Sequence, residues 1–203
     1  MTSQFVHLHL HTDYSLVDGL VRIKPLVKAA AASGMPAIAI TDQHNLFAAV
    51  KLYSAAMQAG VKPILGADIR LRDSSDSKKS LRMVLLCSTM KGYHNLSRLI
   101  SRAYTEGQHL GVPMLEPEWL DGQTDGLICL SGGREGLLGR DLLGGRQTEA
   151  EQLARQWMQL FPDRFYLELV RTGRDDEERY IQQALQLASE LDLPVVATND
   201  VRF

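Results

Sequence analysis

The sequence predicts an α/β fold of parallel strands wrapped by helices, and three observations lead there. Strand-like and helix-like segments alternate about seven times at spacings of roughly thirty residues, the size of one βαβ unit. The strand segments are mostly unbroken apolar runs, as parallel strands buried on both faces require. Polar residues, namely His11, Asp42, Asp68, Ser131, Glu168 and Asp200, stand at the C-terminal end of strand after strand. An open doubly wound sheet would carry a GxGxxG turn after its first strand, and none is there. A closed β/α barrel with its site on the C-terminal face brings all those strand ends together.

The first strand lies in Phe5 to Gly19, FVHLHLHTDYSLVDG. Its histidines His7, His9 and His11 alternate with Val6, Leu8 and Leu10, which places three imidazoles on one strand face. Imidazoles at that spacing converge on a cation, and Asp18 on the following loop adds an oxygen ligand. The plain alternative is a half-buried strand whose polar face is histidine.

Ile23 to Ser33 reads as a helix rich in alanine and lysine, stopped by Gly34 and Pro36. Ala37 to Thr41 is the second strand. Leu46 to Gln58 is helical, with Gly60 beyond its end, and leads through Pro63 to the third strand, Ile64 to Leu71. Asp73 to Ser80 is a polar surface loop with Lys78-Lys79 at its tip. Leu81 to Cys87 is the fourth strand and Tyr93 to Tyr104 a helix. Gln108 to Asp125 is an irregular connection, carrying Pro113, Pro117 and an Asp121-Gly122 turn, that packs its own Trp119.

Gly126 to Leu130 is the fifth strand. The Ser131-Gly132-Gly133-Arg134 run after it reads as a strand-to-helix turn, with a phosphate cradle as the alternative, and a short helix follows over Gly136 to Leu143. Thr148 starts a helix reaching Phe161, Glu151 completes a capping box, and Pro162 stops it. Phe165 to Val170 is the sixth strand. Asp175 to Leu191 is a long amphipathic helix whose acidic start complements the positive helix end. Val195 to Thr198 is the seventh strand and runs into Asn199-Asp200.

At 203 residues the chain can bury one sizeable core, and no linker-like stretch divides it, so one domain over residues 1–203 is expected. A content of 45% hydrophobic and 23% charged residues excludes the disordered and membrane classes. MTSQFVHLHL has neither the basic region nor the apolar core of a secretory signal, so a cytoplasmic location without membrane contact is expected. A net charge of −2 is no footprint of a surface tracking nucleic acid, and direct contact with DNA is expected to be small or local. Cys87 and Cys129 sit inside apolar runs and read as buried thiols rather than a disulfide.

The runs His9-Leu10-His11-Thr12 with Ser15 and Asp18-Gly19, Ile40-Thr41-Asp42, Lys62-Pro63-Ile64-Leu65-Gly66, Gly92-Tyr93-His94-Asn95-Leu96, Leu130-Ser131-Gly132 and Ala197-Thr198-Asn199-Asp200-Val201 carry a resemblance. Together, from Val6 to Phe203, they are similar to the polymerase and histidinol phosphatase (PHP) domain of bacterial replicative DNA polymerase III alpha subunits. The resemblance implies a distorted seven-stranded β/α (TIM-like) barrel, the PHP fold, at the N-terminus of a DNA-directed DNA polymerase. The palm that performs nucleotidyl transfer then lies beyond Phe203, and the remainder of the alpha subunit is the first expected partner.

Family members with an intact site hold up to three metals, zinc or manganese, and some hydrolyse phosphoesters or act as a 3′ to 5′ exonuclease. Matched one by one, His9 and His11 retain the HxH ligands, Asp18 the following aspartate, Asp42 the aspartate of TDH and Asp200 the first residue of DxH. His7 stands where many relatives carry aspartate. Gln43 replaces the histidine of TDH, Asp68 a glutamate, Arg82 a histidine, Gly133 a cysteine and Arg202 the histidine of DxH. Arginine has no lone pair for a metal and keeps its charge, and glycine has no donor at all. The expectation is a vestigial or weak metal site of His9, His11, Asp18, Asp42, Asp68, Glu168 and Asp200. His44 and His7 are compensating candidates, and Arg82 and Arg202 take the space and charge of the lost cations.

The resemblance thus points to a catalytically degenerate structural module that docks the separate proofreading exonuclease subunit. It would bind no metal, or zinc or manganese weakly, and meet DNA only through the full-length holoenzyme. No residue is assigned as catalytic. The alternative is an active metal-dependent phosphoesterase or 3′ to 5′ exonuclease, in which metal ions activate water and neutralise phosphate.

Overall fold

A computed structural model describes residues 5–73 and 80–202. The Lys78-Lys79 tip and most of the Asp73 to Ser80 loop lie outside the described residues. In chain order the elements are α1 (Ile23–Ala32), β1 (Ala37–Gln43), α2 (Ala49–Ala59), β2 (Lys62–Arg72), β3 (Ser80–Cys87), α3 (Met90–Thr105), a small hairpin β4 (Gln108–His109) and β5 (Val112–Pro113), β6 (Leu127–Leu130), α4 (Gly139–Leu143), α5 (Gln147–Leu160), β7 (Phe165–Val170), α6 (Glu177–Leu191) and β8 (Val195–Thr198). Six strands form one curled sheet in the order β1-β2-β3-β6-β7-β8.

Two expectations about the sheet are corrected. The strands are not all parallel: β1 with β2, β6 with β7 and β7 with β8 are parallel, whereas β3 runs antiparallel to both β2 and β6. The cause is the connection, because β2 ends at Arg72 and β3 starts at Ser80, too short a separation for the crossover of about a dozen residues that parallel pairing needs, and a direct return reverses the strand. One effect is decisive for the site. Reversal puts the N-terminal end of β3, with Arg82, beside the C-terminal ends of the parallel strands.

The second correction concerns the opening histidine segment, which does not form a regular seventh strand. It makes isolated bridges from Leu10 to Val201 and from Thr12 to Val21. On one side the Ala39 and Thr41 amides donate to the carbonyls of His7 (2.9 Å) and Leu10 (2.8 Å), and on the other His11 and Val201 exchange bonds with Val201 and His9. Two residues of β1 thus face three of this segment, the signature of a bulge. Strict alternation is lost there: Leu8 packs inside the curl and Leu10 outside, against α1 and α2.

Outside the curl, Ala67, Ile69 and Leu71 of β2, Met83 and Leu85 of β3 and Phe165 and Leu167 of β7 pack against α3, α5 and α6 through Leu96, Leu99, Trp157, Tyr180 and Leu187. Trp157 stacks on Phe161 and Phe165 at 6.1 and 6.3 Å. Losing one such ring costs about 3–5 kcal/mol. Inside, Ala39, Val84, Leu86 and Leu130 form an apolar plug with Ile64, Ile128, Tyr166 and Val196. The two-residue period of a strand then dictates what stands above the plug. From Val84 it reaches Arg82, from Tyr166 Glu168, from Val196 Thr198, and from Ile64, past Gly66, Asp68.

Helix ends shift by a residue or more from expectation. α3 starts at Met90 because Thr89 caps it, accepting from the Gly92 amide, and Gly92 is needed since a Cβ would meet the Gly126 carbonyl at 1.9 Å. α5 starts at Gln147 with no side-chain cap, so the expected capping box is absent, and Glu151 pairs instead with Arg155 at 2.8 Å. The Trp119 ring packs on the large core beneath Arg102, whose guanidinium lies 4.1 Å from its centre. Both cysteines are free thiols.

Candidate functional site

The polar end of the curl is a cluster of buried charges. His9 and His11 come from the opening segment, Asp68 from β2, Arg82 from β3, Glu168 from β7, and Asp200 and Arg202 from the chain after β8. Asp68 Oδ2 is the hub: it accepts from Arg82 Nε at 2.5 Å and from His11 Nε2 at 3.0 Å, and Arg82 Nη2 and His9 Nε2 also face it. Arg82 reaches further, donating to Asp200 from Nη1 (3.2 Å) and Nη2 (3.0 Å). Arg202 clamps the other side of Asp200 through Nε (3.1 Å) and Nη2 (2.8 Å), and its Nη1 lies 3.7 Å from Asp18.

Each buried carboxylate has its own support. His9 Nδ1 donates to Glu168 Oε1 at 2.7 Å, and Thr198 Oγ1 donates to the same oxygen at 2.5 Å. The Glu168 amide donates to Ser131 Oγ. Asp18 accepts from His11 Nδ1 (2.9 Å) and from Gln43 Nε2 (2.8 Å), so the glutamine that departs from the TDH pattern still serves as a donor here.

The charges bias one another's protonation. Burial alone would raise Asp68, but the Arg82 guanidinium and the bonds from His11 and His9 hold it well below the usual carboxylate range. Burial likewise opposes ionisation of Asp200, and His9 and Arg82 outweigh it, lowering the carboxyl. For His9, burial and the nearby guanidinium disfavour the imidazolium, while Glu168 and Asp68 favour it more, raising the group to about 9. Ionised partners in a dry site are each other's solvent.

Three predicted residues lie outside this cluster. Asp42 is consumed by the loop after the histidines: it accepts from the Thr12 amide (2.6 Å), Thr12 Oγ1 (2.8 Å) and Ser15 Oγ (2.8 Å). His44 takes a positive φ of 53° and its Nε2 accepts from the Arg70 amide at 3.2 Å, which ties the ring to the β2 backbone. Burial, with Arg70 nearby, pushes it down to about 4, so the ring is neutral and its Nε2 serves as an acceptor. His7, displaced by the bulge, packs edge-on against Phe5 at 5.0 Å. Gly133, as expected, brings no donor.

Residues that the sequence reading missed are Thr198 and Glu135. Thr198 was visible as the last residue of β8 on the inner face. Glu135, in a single helical turn at Gly133–Glu135, faces Arg82, Arg134, Arg174 and Arg202 at 3.5–3.9 Å. No sequence period marks it, because it sits in a turn.

His9, His11 and Asp68 each aim a donor atom at a common point, all within 4.8 Å of one another. A cation does not fit the set as it stands. Arg82 Nη2 lies 2.9 Å from His9 Nε2 and the same guanidinium holds Asp68 Oδ2, so the space between the three groups and the Asp68 oxygen a metal would use are taken by a fixed positive charge. Glu168 Oε2 is buried without a hydrogen-bond partner among the described residues.

Residues 7–172 match the PHP domain family. The chain is 53% identical, over its whole length, to DNA polymerase III subunit alpha of Pseudomonas fluorescens, and 48% identical over 98% of its length to that of Escherichia coli K12. It spans 17% of the length of each. Among solved structures it is similar to a Bifidobacterium adolescentis protein described as a metal-dependent phosphoesterase, with a TM-score of 0.66 and 16% identity over 99% of this chain and 88% of that one. An amidohydrolase from Chromobacterium violaceum gives a TM-score of 0.61 and 12% identity over 97% and 87%. At such identities these two structures show a shared fold. Among the described residues no helix is long and apolar enough to cross a membrane.

Proposed function

Since the chain belongs to the PHP domain family, we propose that it is the N-terminal PHP module of a bacterial replicative polymerase alpha subunit, with its ancestral metal site replaced by a salt-bridged core. The observation that carries this reading is Arg82, which bonds Asp68 and Asp200 and abuts His9 where a cation would sit. The histidine segment, bonded to β1 and to Val201, supports a distorted barrel in which it acts as an irregular seventh stave. A site neutralised from within stabilises the fold and performs no hydrolysis. The remainder of the alpha subunit is its covalent partner, the proofreading exonuclease subunit its docking partner, and the cytoplasm its location.

Elemental analysis of the purified full-length subunit tests the reading. Zinc or manganese well below one per chain is expected, with no phosphoesterase activity; stoichiometric metal together with activity lost in His11→Ala would refute it. Co-elution with the exonuclease subunit at micromolar concentration tests the docking role. A second reading, a metal-dependent phosphoesterase or 3′ to 5′ exonuclease, draws on the convergence of His9, His11 and Asp68, and the same metal measurement separates the two.

A further inference from the structure

Seven of the thirteen exposed large hydrophobic side chains among the described residues fall in two short segments. Leu16, Val17 and Leu20, 79%, 90% and 73% exposed, stand on the loop after the histidines. Phe47, Val50, Tyr53 and Met57, 56–77% exposed, follow one another along the outer side of α2. The inner side of the same helix is apolar too, since Leu52 and Ala56 pack with Val27 and Ala30 of α1. Only Lys51, Ser54 and Gln58 of α2 are neither apolar nor aromatic. A helix that is apolar nearly all round belongs in an interior, and a contiguous apolar surface of this extent marks an interaction site.

Hydrogen bonds join the loop to the start of α2 and hold it still. Asn45 Nδ2 donates to the Tyr14 carbonyl (3.0 Å), Ser15 Oγ accepts from the Gln43 amide (3.1 Å), and Lys51 donates to the Tyr14 hydroxyl. Leu16 is held at φ 66°, and Gly19 passes so close to the Thr12 carbonyl that a Cβ would meet its oxygen at 1.7 Å. Apolar groups on a rigid support lose little entropy on being covered.

Charge gives the chemistry of what covers them. From Gly19 to Ala67 the only acid is the buried Asp42, whereas Arg22, Lys24, Lys28, Lys51 and Lys62 are all exposed. In a chain of net charge −2 this side carries a local basic surplus. The complement of an apolar band with a basic border is an apolar surface with an acidic border.

Position indicates which molecule supplies it. The Leu20 amide donates to the Arg202 carbonyl at 3.3 Å, so a chain continuing past residue 202 leaves the fold beside the apolar loop. On the proposed reading more than four-fifths of the polypeptide lies outside this module, which spans 17% of the polymerase subunits it matches. Tethering presents a covering surface at an effective concentration on the order of millimolar, which a separate protein rarely reaches.

We propose that the loop 16–20 and the outer side of α2 form an intramolecular interface, covered by an apolar, acid-bordered surface of the polypeptide that follows residue 202. The inference rests on the proposed reading in one respect, that this chain is the N-terminal module of a longer subunit.

The test is cysteine footprinting of the purified full-length subunit, free of other proteins and DNA. Val50→Cys and Tyr53→Cys are labelled with a small maleimide and read peptide by peptide. Both side chains are exposed in the module itself, so neither substitution disturbs its core. Native labelling at both positions should be at least about tenfold slower than in urea and unchanged on dilution. Adding Val50→Asp to the Tyr53→Cys variant should speed native labelling at residue 53, because the interface would have to bury a carboxylate facing acids. Native labelling as fast as in urea overturns the inference. So does protection that disappears on dilution, which identifies a second copy, or that arises only when another protein or DNA is added. Metal content of the same sample keeps the two claims apart. Metal-loaded, active protein with both positions protected refutes the salt-bridged reading alone, and metal-free protein labelled freely at both refutes this inference alone.

Discussion

Arg82 and Asp68 meet with Nε 2.5 Å from Oδ2, an oxygen that also accepts from His11 at 3.0 Å. One carboxylate oxygen therefore ties β2, β3 and the opening segment together. Register makes the contact: Asp68 stands opposite Val84 in the antiparallel pair, and Arg82 is the next inward residue toward the rim.

Removing one partner from a buried network costs more than the network contributes, because the remaining charges are left desolvated. Arg82→Ala leaves the buried Asp68 carboxylate without its guanidinium partner and is expected to destabilise the protein by about 3–5 kcal/mol. Urea denaturation reads this directly. An apolar double replacement, Arg82→Met with Asp68→Leu, should recover part of the loss; if the single variant unfolds at the parental midpoint, the pair is not coupled to stability.

His9 and the acids make opposite demands on pH. His9 is raised from 6.5 to about 9 in the folded state, so its contribution is complete below pH 6.5 and fades as pH rises through about 9. Asp68 and Asp200 are lowered, so theirs is present above the unfolded value near 3.9 and lost as pH falls below it. Urea midpoints measured from pH 6 to 10 should decline across that window. His9→Gln should flatten the decline, and a parental profile in that variant would assign the slope elsewhere.

His44 carries the reverse sign from His9. Its folded value is lowered to about 4, so the neutral ring contributes fully above pH 6.5, and that contribution is lost as pH falls through about 4. Nitrogen-15 chemical shifts of a labelled imidazole should keep Nε2 unprotonated down to about pH 4, as an acceptor from the Arg70 amide requires. A titration midpoint near 6.5 would refute it.

Asp42 holds three donors of the loop from Thr12 to Ser15. Asp42→Ala should cost about 3 kcal/mol and speed amide exchange over residues 12–18, while leaving the Arg82 cluster intact. Unchanged exchange in the loop would show that Asp42 does not organise it.

Much of this was legible in the chain. The apolar runs located β1, β2, β3, β6, β7 and β8, and reading polar residues at the strand ends picked out His11, Asp68, Glu168 and Asp200. Arg82 and Arg202 were legible as cation replacements only through the family resemblance, which sets them where histidine ligands are usual. Glu135 was not, since a turn residue carries no period, and neither was the fate of His44, whose positive φ is set by the β2 backbone it leans on.

The sequence by itself determined which groups were available: six apolar strands, histidines at 9 and 11, and arginines where a lone pair would be needed. Tertiary structure decided who meets whom. A connection too short for a crossover turned β3 around and carried Arg82 into the acidic end. One extra residue opposite β1 swung His7 away while leaving His9 and His11 inside. The second outcome depends on register between segments far apart in the chain, and register is chosen by the packing of whole faces, which no local pattern encodes.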